Sequence, residues 1–345
     1  MKIRLIILTF CVAAPAGFLF HFLRFPLPWL LGPLAATLLF NSYGGGRACW
    51  PVGLRNLGLI VIGYSMGRTV TDETARQILA DLPEMAIVTL LTLIFGAGIG
   101  YVAHRRTGIS LASSTLGFIP GGLAQMVLLT EEIKDTDLTV VTFLQTVRLM
   151  AVVFIVPFVA TYSMVPGAGG QAAAPMAMQG QGLVAALPAV LAALAGALVA
   201  VPLKLPIPYL LGPVFGSAAV SLGGYPAPPV PYGLLSAAQI FFGISMGTGI
   251  TLNSLRQLGR VSPYAIGGSI VLVVFTFLLG FGLTFFTPLS LLTAFLSTAP
   301  GGTAEMGITA VALHADIATV LAYQLMRLFS ILILVPPFLK WWFNR

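Results

Sequence analysis

The chain has 345 residues, 58% of them hydrophobic and only 8% charged, against roughly 25% charged in an average soluble domain. So apolar a composition excludes a water-soluble globular protein and marks an integral membrane protein. Seventeen basic against ten acidic residues give a net charge of +7; on a membrane chain this excess reflects orientation rather than nucleic-acid binding, and no polar stretch is long enough for a DNA-reading domain.

In chain order, the opening MKIRLIILTFCVAAPAG carries Lys2 and Arg4, an apolar core and small residues near Ala14 and Ala16, which would also suit a signal peptide. A comparable run, LVAALPAVLAALAGALVAVPLKLPIP, opens the second half, so a retained membrane helix is expected. Further hydrophobic segments follow at about 27–42, 53–71, 83–103, 110–131 and 137–161. A spanning helix wants about 20 apolar residues, so the second segment is short. The fifth contains FIPGGLAQM (118–126). Proline removes a backbone donor and glycine frees the dihedrals, so a regular helix is expected to break there. Next comes MVPGAGGQAAAPMAMQGQ (164–181), an uncharged linker of small residues.

Beyond the linker the pattern starts again. LRFPLPWLLGP (23–33) matches LKLPIPYLLGP (203–213) at seven of eleven positions; IVIGYSMGRTVT (60–71) matches IFFGISMGTGIT (240–251), and Pro120-Gly121-Gly122 falls on Pro300-Gly301-Gly302, all at an offset of 180. With one residue deleted, DLTVVTFLQTVRLMAVVFIVPF (137–158) matches DIATVLAYQLMRLFSILILVPPF (316–338). The expected organisation is therefore repeat 1 (1–163), an external linker (164–181) and repeat 2 (182–345).

Charge placement discriminates between ways of threading these segments. If all six cross in each half, the halves are parallel and basic loop residues divide eight inside to six outside. If the fifth is re-entrant, the second half inverts, Lys134, Lys204, Arg256 and Arg260 move inside, and the division becomes twelve to two. A non-crossing second segment gives seven to seven and a non-crossing sixth gives eleven to three, so the rule selects inversion but hardly separates five from six. The expected fold is all-α and membrane-embedded, a tandem inverted repeat of about ten transmembrane helices plus two broken or re-entrant Pro-Gly-Gly segments. Both termini are then cytoplasmic, in a multi-pass bacterial inner-membrane protein. Inverted repeats with broken helices are the usual construction of secondary transporters, and helix N-termini exposed at a break suit anions.

Polar groups at membrane depth are the candidate site. Arg148 and Arg327 occupy equivalent places, each three residues after a glutamine, Gln145 or Gln324, on one helical face. Each arginine could clamp a carboxylate, or could instead cap carbonyls freed at a break or pair with Glu305, Asp316 or Asp137. Gln125 and Glu305 follow the two breaks at the same spacing. Glu305, the acidic member, is the candidate for proton or cation coupling, with neutralisation of Arg327 as the alternative. The substrate-binding set is thus Pro120, Gly121, Gly122, Gln125, Gln145, Arg148, Pro300, Gly301, Gly302, Thr303, Gln324 and Arg327. Arg68 is expected to snorkel to the interface, and Asp137 and Asp316 to N-cap their helices. Ser65, Ser245, Ser114 and Thr298 could line a cavity or mediate helix packing.

The recurring P-x-P-[WY]-L-L-G-P, G-x-S-M-G and PGG-x-A-[QE]-M motifs resemble the membrane AbrB duplication family of bacteria, carried under an ammonia-monooxygenase or AbrB-type regulator label. The resemblance spans both halves and implies an inner-membrane protein of transporter-like build. Oxygenase chemistry needs clustered imidazole or carboxylate ligands, whereas His21, His104 and His314 fall on separate segments, so no metal site, no cofactor and no enzyme activity are expected. No nucleotide-binding P-loop is present. The expected function is transport of a small, anionic organic solute by alternating access around the two breaks. A channel for ammonia or an amine, or a membrane sensor without transport, are the alternatives. Expected partners are the small-molecule or ion substrate and the lipid bilayer, with no nucleic acid; a homo-oligomer is compatible with the sequence.

Overall fold

The computed structural model describes residues 2–43, 48–164, 183–225, 227–249 and 259–343. Nearly all of the linker, and Arg47, Arg256 and Arg345 of the charge count, lie outside the described residues. The described residues form helices and turns and no strand: α1 (Lys2–Phe22), α2 (Pro28–Tyr43), α3 (Val52–Gly67), α4 (Asp72–Ala80), α5 (Leu82–Thr107), α6 (Leu111–Phe118), α7 (Leu123–Glu132) and α8 (Leu138–Met164) come first. Then follow α9 (Leu183–Ala200), α10 (Pro208–Leu222), α11 (Tyr232–Thr248), α12 (Ser262–Leu283), α13 (Leu291–Thr298), α14 (Thr303–Leu313) and α15 (Ile317–Phe343).

Among the described residues, five helices, α1, α5, α8, α12 and α15, are long and apolar enough to cross a membrane. The 16 residues of α2 or α3 reach about 24 Å at 1.5 Å per residue, short of a hydrocarbon core of about 30 Å. Helix α4 was not among the expected segments, because it is polar; Asp72 and Glu73 occupy its first turn, where the helix dipole favours acids.

The chain divides into two compact units, and each draws on both halves of the sequence. The first comprises Met1–Leu79, Thr161–Thr251 and Gly307–Thr319; the second comprises Ala80–Ala160, Leu252–Met306 and Val320–Arg345.

In the first unit the motifs of one half pack against those of the other. α2 lies on α11, and α3 on α10. A Cβ added at Gly63 or Gly67 would meet the carbonyl oxygens of Leu210 or Val214 at 2.4 and 2.1 Å. At Gly243 and Gly247 it would meet those of Leu30 and Leu34 at 2.5 and 2.7 Å. The glycines of G-x-S-M-G therefore serve the close approach of the other half's L-L-G-P helix, and the order of contacts makes each pair parallel. The turns into α2 and α10 also correspond. Arg24 and Lys204 take φ of 55° and 53°, and Leu27 and Ile207 take 46° and 48°, a left-handed region costly for non-glycine residues.

In the second unit α5 packs on α12. Phe95 stacks on Phe275 with ring centroids 3.7 Å apart, Ile99 lies against Gly268, and Ala103 shares a buried cluster with Val261 and Ala265. The two helices are therefore antiparallel, and the stacked phenylalanines are 180 residues apart in sequence. Ser110 caps α6 by accepting from the Ser113 amide, as Ser290 caps α13 by accepting from the Thr293 amide. Asp137, at the start of α8, donates its amide to Ser113 Oγ at 2.7 Å. Ala112 and Ile133 share a second buried cluster. Residues flanking both ends of the α6–α7 pair thus lie near one another.

Candidate functional site

A proline at position 120 cannot supply the N–H that would bond to Leu116 O four residues earlier, and Pro300 deprives Leu296 O in the same way. The last helical bonds are Ile119 N to Thr115 O and Ala299 N to Phe295 O. Ile119 and Ala299 are then extended, with ψ of 125° and 134°. The amides of Gly121 and Gly301 turn back to Ile119 O and Ala299 O at 2.7 and 2.9 Å, leaving each break with carbonyls that no helix satisfies.

The Q-x-x-R of α8 and α15 supplies the missing donors. Gln145 Nε2 donates to Leu116 O at 2.6 Å and Ile119 O at 2.9 Å. Arg148 donates through Nη1 to Ile119 O at 2.7 Å and through Nη2 to Gly121 O at 2.9 Å. In the second half Gln324 Nε2 donates to Leu296 O at 2.8 Å and Ala299 O at 3.2 Å. Arg327 donates to Ala299 O and Gly301 O, both at 2.6 Å. Both arginines thus cap carbonyls freed at a break, one of the roles expected for them, and Glu305 stands within electrostatic reach of Arg327 as well. The second lock has two further bonds, Gln324 Nε2 to Ser297 O at 3.4 Å and Arg327 Nη2 to Gln324 Oε1, whereas Gln145 Oε1 and Arg148 Nε, both buried, have no protein partner among the described residues. All four side chains are buried.

The glycines act differently from expectation. Neither break uses a left-handed φ, so freedom of dihedral is not what Gly121 and Gly301 provide. A Cβ at either position would come within 2.1 or 2.6 Å of the terminal methyl of Met126 or Met306; the final methionine of PGG-x-A-[QE]-M fills the space that glycine leaves. At the second glycine, a Cβ on Gly302 would stand 1.9 Å from Glu305 Oε2, and one on Gly122 would stand 3.3 Å from Gln125 Oε1. Both side chains curl back towards the helix N-terminus; Glu305 makes a backbone hydrogen bond there, at the position of the third residue of a capping box, whereas Gln125 Oε1 is buried without a hydrogen-bond partner among the described residues. Thr303 opens α14 and is buried.

All the expected site residues, Pro120 to Gln125, Gln145, Arg148, Pro300 to Glu305, Gln324 and Arg327, fall in the second unit. The Arg148 and Arg327 guanidiniums are within electrostatic reach of each other, and Glu305 of Arg327. Ser65 and Ser114 bond carbonyls one turn back in their own helices, and Thr298 bonds Thr276 O of α12, which joins two helices. Asp137 and Asp316 accept from amides of Thr139 and Thr319 and so cap α8 and α15. Arg68 is half-buried at the C-terminus of α3. Tyr323, 2% exposed, has a hydroxyl without a hydrogen bond among the described residues, in electrostatic reach of Asp81 and Glu84. This group escaped the sequence reading, although two acids three residues apart at the start of a long apolar helix were a visible signal. Among the described residues no three His, Cys, Asp or Glu side chains gather as a metal site.

A family profile described as "Transition state regulatory protein AbrB" matches residues 29–343. The chain is 26% identical to "Uncharacterized protein YhjN" of Bacillus subtilis (strain 168) over 352 aligned positions, covering 95% of this chain and 91% of the relative. It is 27% identical to "Putative regulator AbrB" of Escherichia coli (strain K12) over 318 positions, covering 90% and 88%.

Proposed function

Because the chain belongs to the AbrB family, we propose that it is an inner-membrane secondary transporter of a small organic anion, built from two halves inserted in opposite directions. Parallel halves would run α5 and α12 the same way and α3 opposite to α10. The antiparallel stacking of Phe95 on Phe275 and the parallel contacts of Gly63 and Gly67 with Leu210 and Val214 support inversion. The Ser113–Asp137 bond supports a re-entrant fifth segment. On this reading ten helices thread the bilayer, α1, α2, α3, α5 and α8 with their counterparts α9, α10, α11, α12 and α15, although α2, α3, α10 and α11 are each too short to span the full hydrocarbon core alone; both termini are then cytoplasmic and the 164–181 linker external.

The observation that carries the transport reading is the pair of like-built breaks in one compact unit. Unwound backbone at membrane depth is tolerated where it lines a protein cavity, and two half-helix N-termini, those of α7 and α14, begin at these breaks. Of the charged groups at the breaks two are cations and one, Glu305, is an anion. A bound monoanion would offset the remaining charge, which is costly in a medium of low dielectric. Since the breaks and their arginines belong to one unit, they would move together during alternating access.

A thermal-shift screen of the purified protein against organic acids, amino acids and amines tests the cargo class. Proteoliposome flux with and without proton or sodium gradients then tests the mechanism. The expected result is stabilisation by a subset of acids and gradient-dependent uptake of the same compounds. Gradient-indifferent flux of ammonia or amines would replace the proposal with a channel. Binding without flux would favour a membrane sensor, the reading suggested by the name of the Escherichia coli relative.

A further inference from the structure

We propose that the groove between α5 and α12 binds one anionic phospholipid, an acyl chain along its apolar floor and the headgroup phosphate at Arg105, Arg106 and Arg260. The groove has a volume of about 600 Å³, within the roughly 300–1,000 Å³ of ligand clefts. Its walls are apolar side chains such as Ile94, Val102 and Val271, which are more than 50%, or at 50%, exposed. Gly98 and Gly267 open it: a Cβ at either would meet nothing within 4 Å. Phe95 stacked on Phe275 draws the helices together at one end. At the other end α5 finishes in Arg105 and Arg106, and Arg260 stands just before α12. All three are exposed, and none joins an ion pair among the described residues. Arg105 lies 5.7 Å from the Tyr101 ring, which holds its guanidinium at the helix flank.

An apolar trough ending in three cations has the polarity of an anionic amphiphile, and basic pockets between membrane helices take such headgroups. A second copy of the chain is the poorer fit, because a twofold contact across this face would set each copy's arginines against the other's at the same depth. The groove also adjoins the helix that leads into the first break. Gly268 lines the groove, and the Phe118 ring presses on it from beneath, within 2.5 Å of an added Cβ; Phe118 ends α6, immediately before the break. An acyl chain in the groove therefore braces the first break. The proposal stands whether or not the protein transports.

Native mass spectrometry of the purified full-length protein, exposed to mixed micelles of dioleoylphosphatidylglycerol or dioleoylphosphatidylcholine, tests it, with glycerol 3-phosphate as a headgroup lacking chains. One phosphatidylglycerol should be retained per chain, with a preference of about tenfold or more over phosphatidylcholine. Arg105→Gln with Arg106→Gln and Arg260→Gln should abolish the preference but not retention. Gly98→Leu with Gly267→Leu should abolish retention of both lipids in protein that remains monodisperse. If the triple variant does not fold, Arg106→Gln alone must lower the preference. Equal retention of the two lipids by the wild type, an unchanged preference in the arginine variants, equal binding of glycerol 3-phosphate, or disulfide dimers of Gly98→Cys in membranes would each overturn the proposal.

Discussion

Arg148 holds two carbonyls that no helical bond can reach, and it does so with a planar fork. A lysine offers a point charge whose three donors do not span the same pair. Arg148→Lys should therefore destabilise the protein by about 2–4 kcal/mol, the order expected when a buried charged hydrogen bond is lost and an acceptor is stranded. Gln145→Met removes the donors to Leu116 O and Ile119 O at nearly constant volume and should cost about 1–3 kcal/mol. Thermal unfolding in detergent reads both, and unchanged midpoints would remove the capping role. Glu305 asks a different question, since the equivalent place at the first break is held by the neutral Gln125. Glu305→Gln keeps the shape of the side chain but removes the one anion facing Arg327, and should destabilise the folded state by about 3 kcal/mol, the lower end for a broken buried pair. If Glu305 carries the coupling ion, this variant should still exchange substrate across proteoliposomes yet lose accumulation against a gradient. Retained accumulation would reduce Glu305 to a cap and a counter-charge for Arg327.

At the scale of elements, glycine has opposite meanings within one helix. Gly63 of α3 faces Leu210 O at 2.4 Å from an added Cβ, whereas Gly53 of the same helix faces nothing within 4 Å. Gly63→Leu should push α3 off α10 and cost about 3 kcal/mol or more, the upper range of overpacking, because the obstacle is backbone that cannot repack. Gly53→Ala should be neutral or stabilise by about 0.5–1 kcal/mol through helix propensity. Fluorescence size-exclusion profiles after heating would separate the two, and equal behaviour would refute the close approach. This contrast also marks what the sequence could tell. The positions of both breaks were legible because proline acts locally, on the carbonyl four residues back. The caps of α8 and α15 were legible because Asp137 and Asp316 precede apolar runs. What G-x-S-M-G packs against was not legible, since its partner lies in the other half, 147 residues on for Gly63 and 213 residues back for Gly243. The role of Gly121 has a local determinant that spacing alone does not reveal: Met126, five residues on in the same motif, fills the space a Cβ would take, and no dihedral demands the glycine. Helix α4 escaped because a search for apolar segments passes over a polar helix.

For the whole molecule, the direction of insertion decides whether the two breaks can serve one path, and charge counting left segments five and six nearly tied. The Ser113–Asp137 bond favours the fifth as the segment that turns back, and this makes distinct predictions for single cysteines. With Cys11 and Cys49 replaced by serine, Arg106→Cys, Lys134→Cys and Gly259→Cys should all react with an impermeant maleimide in inside-out vesicles. Phe286→Cys, at a position 85% exposed, should react only in right-side-out vesicles. Parallel halves would move Lys134→Cys and Gly259→Cys to the outside and Phe286→Cys to the inside. A non-crossing sixth segment would move Lys134→Cys alone. Position 134 therefore separates two threadings that the positive-inside rule ranks almost equally, because only a fifth segment that turns back at Pro120 would return the chain to the membrane face it left.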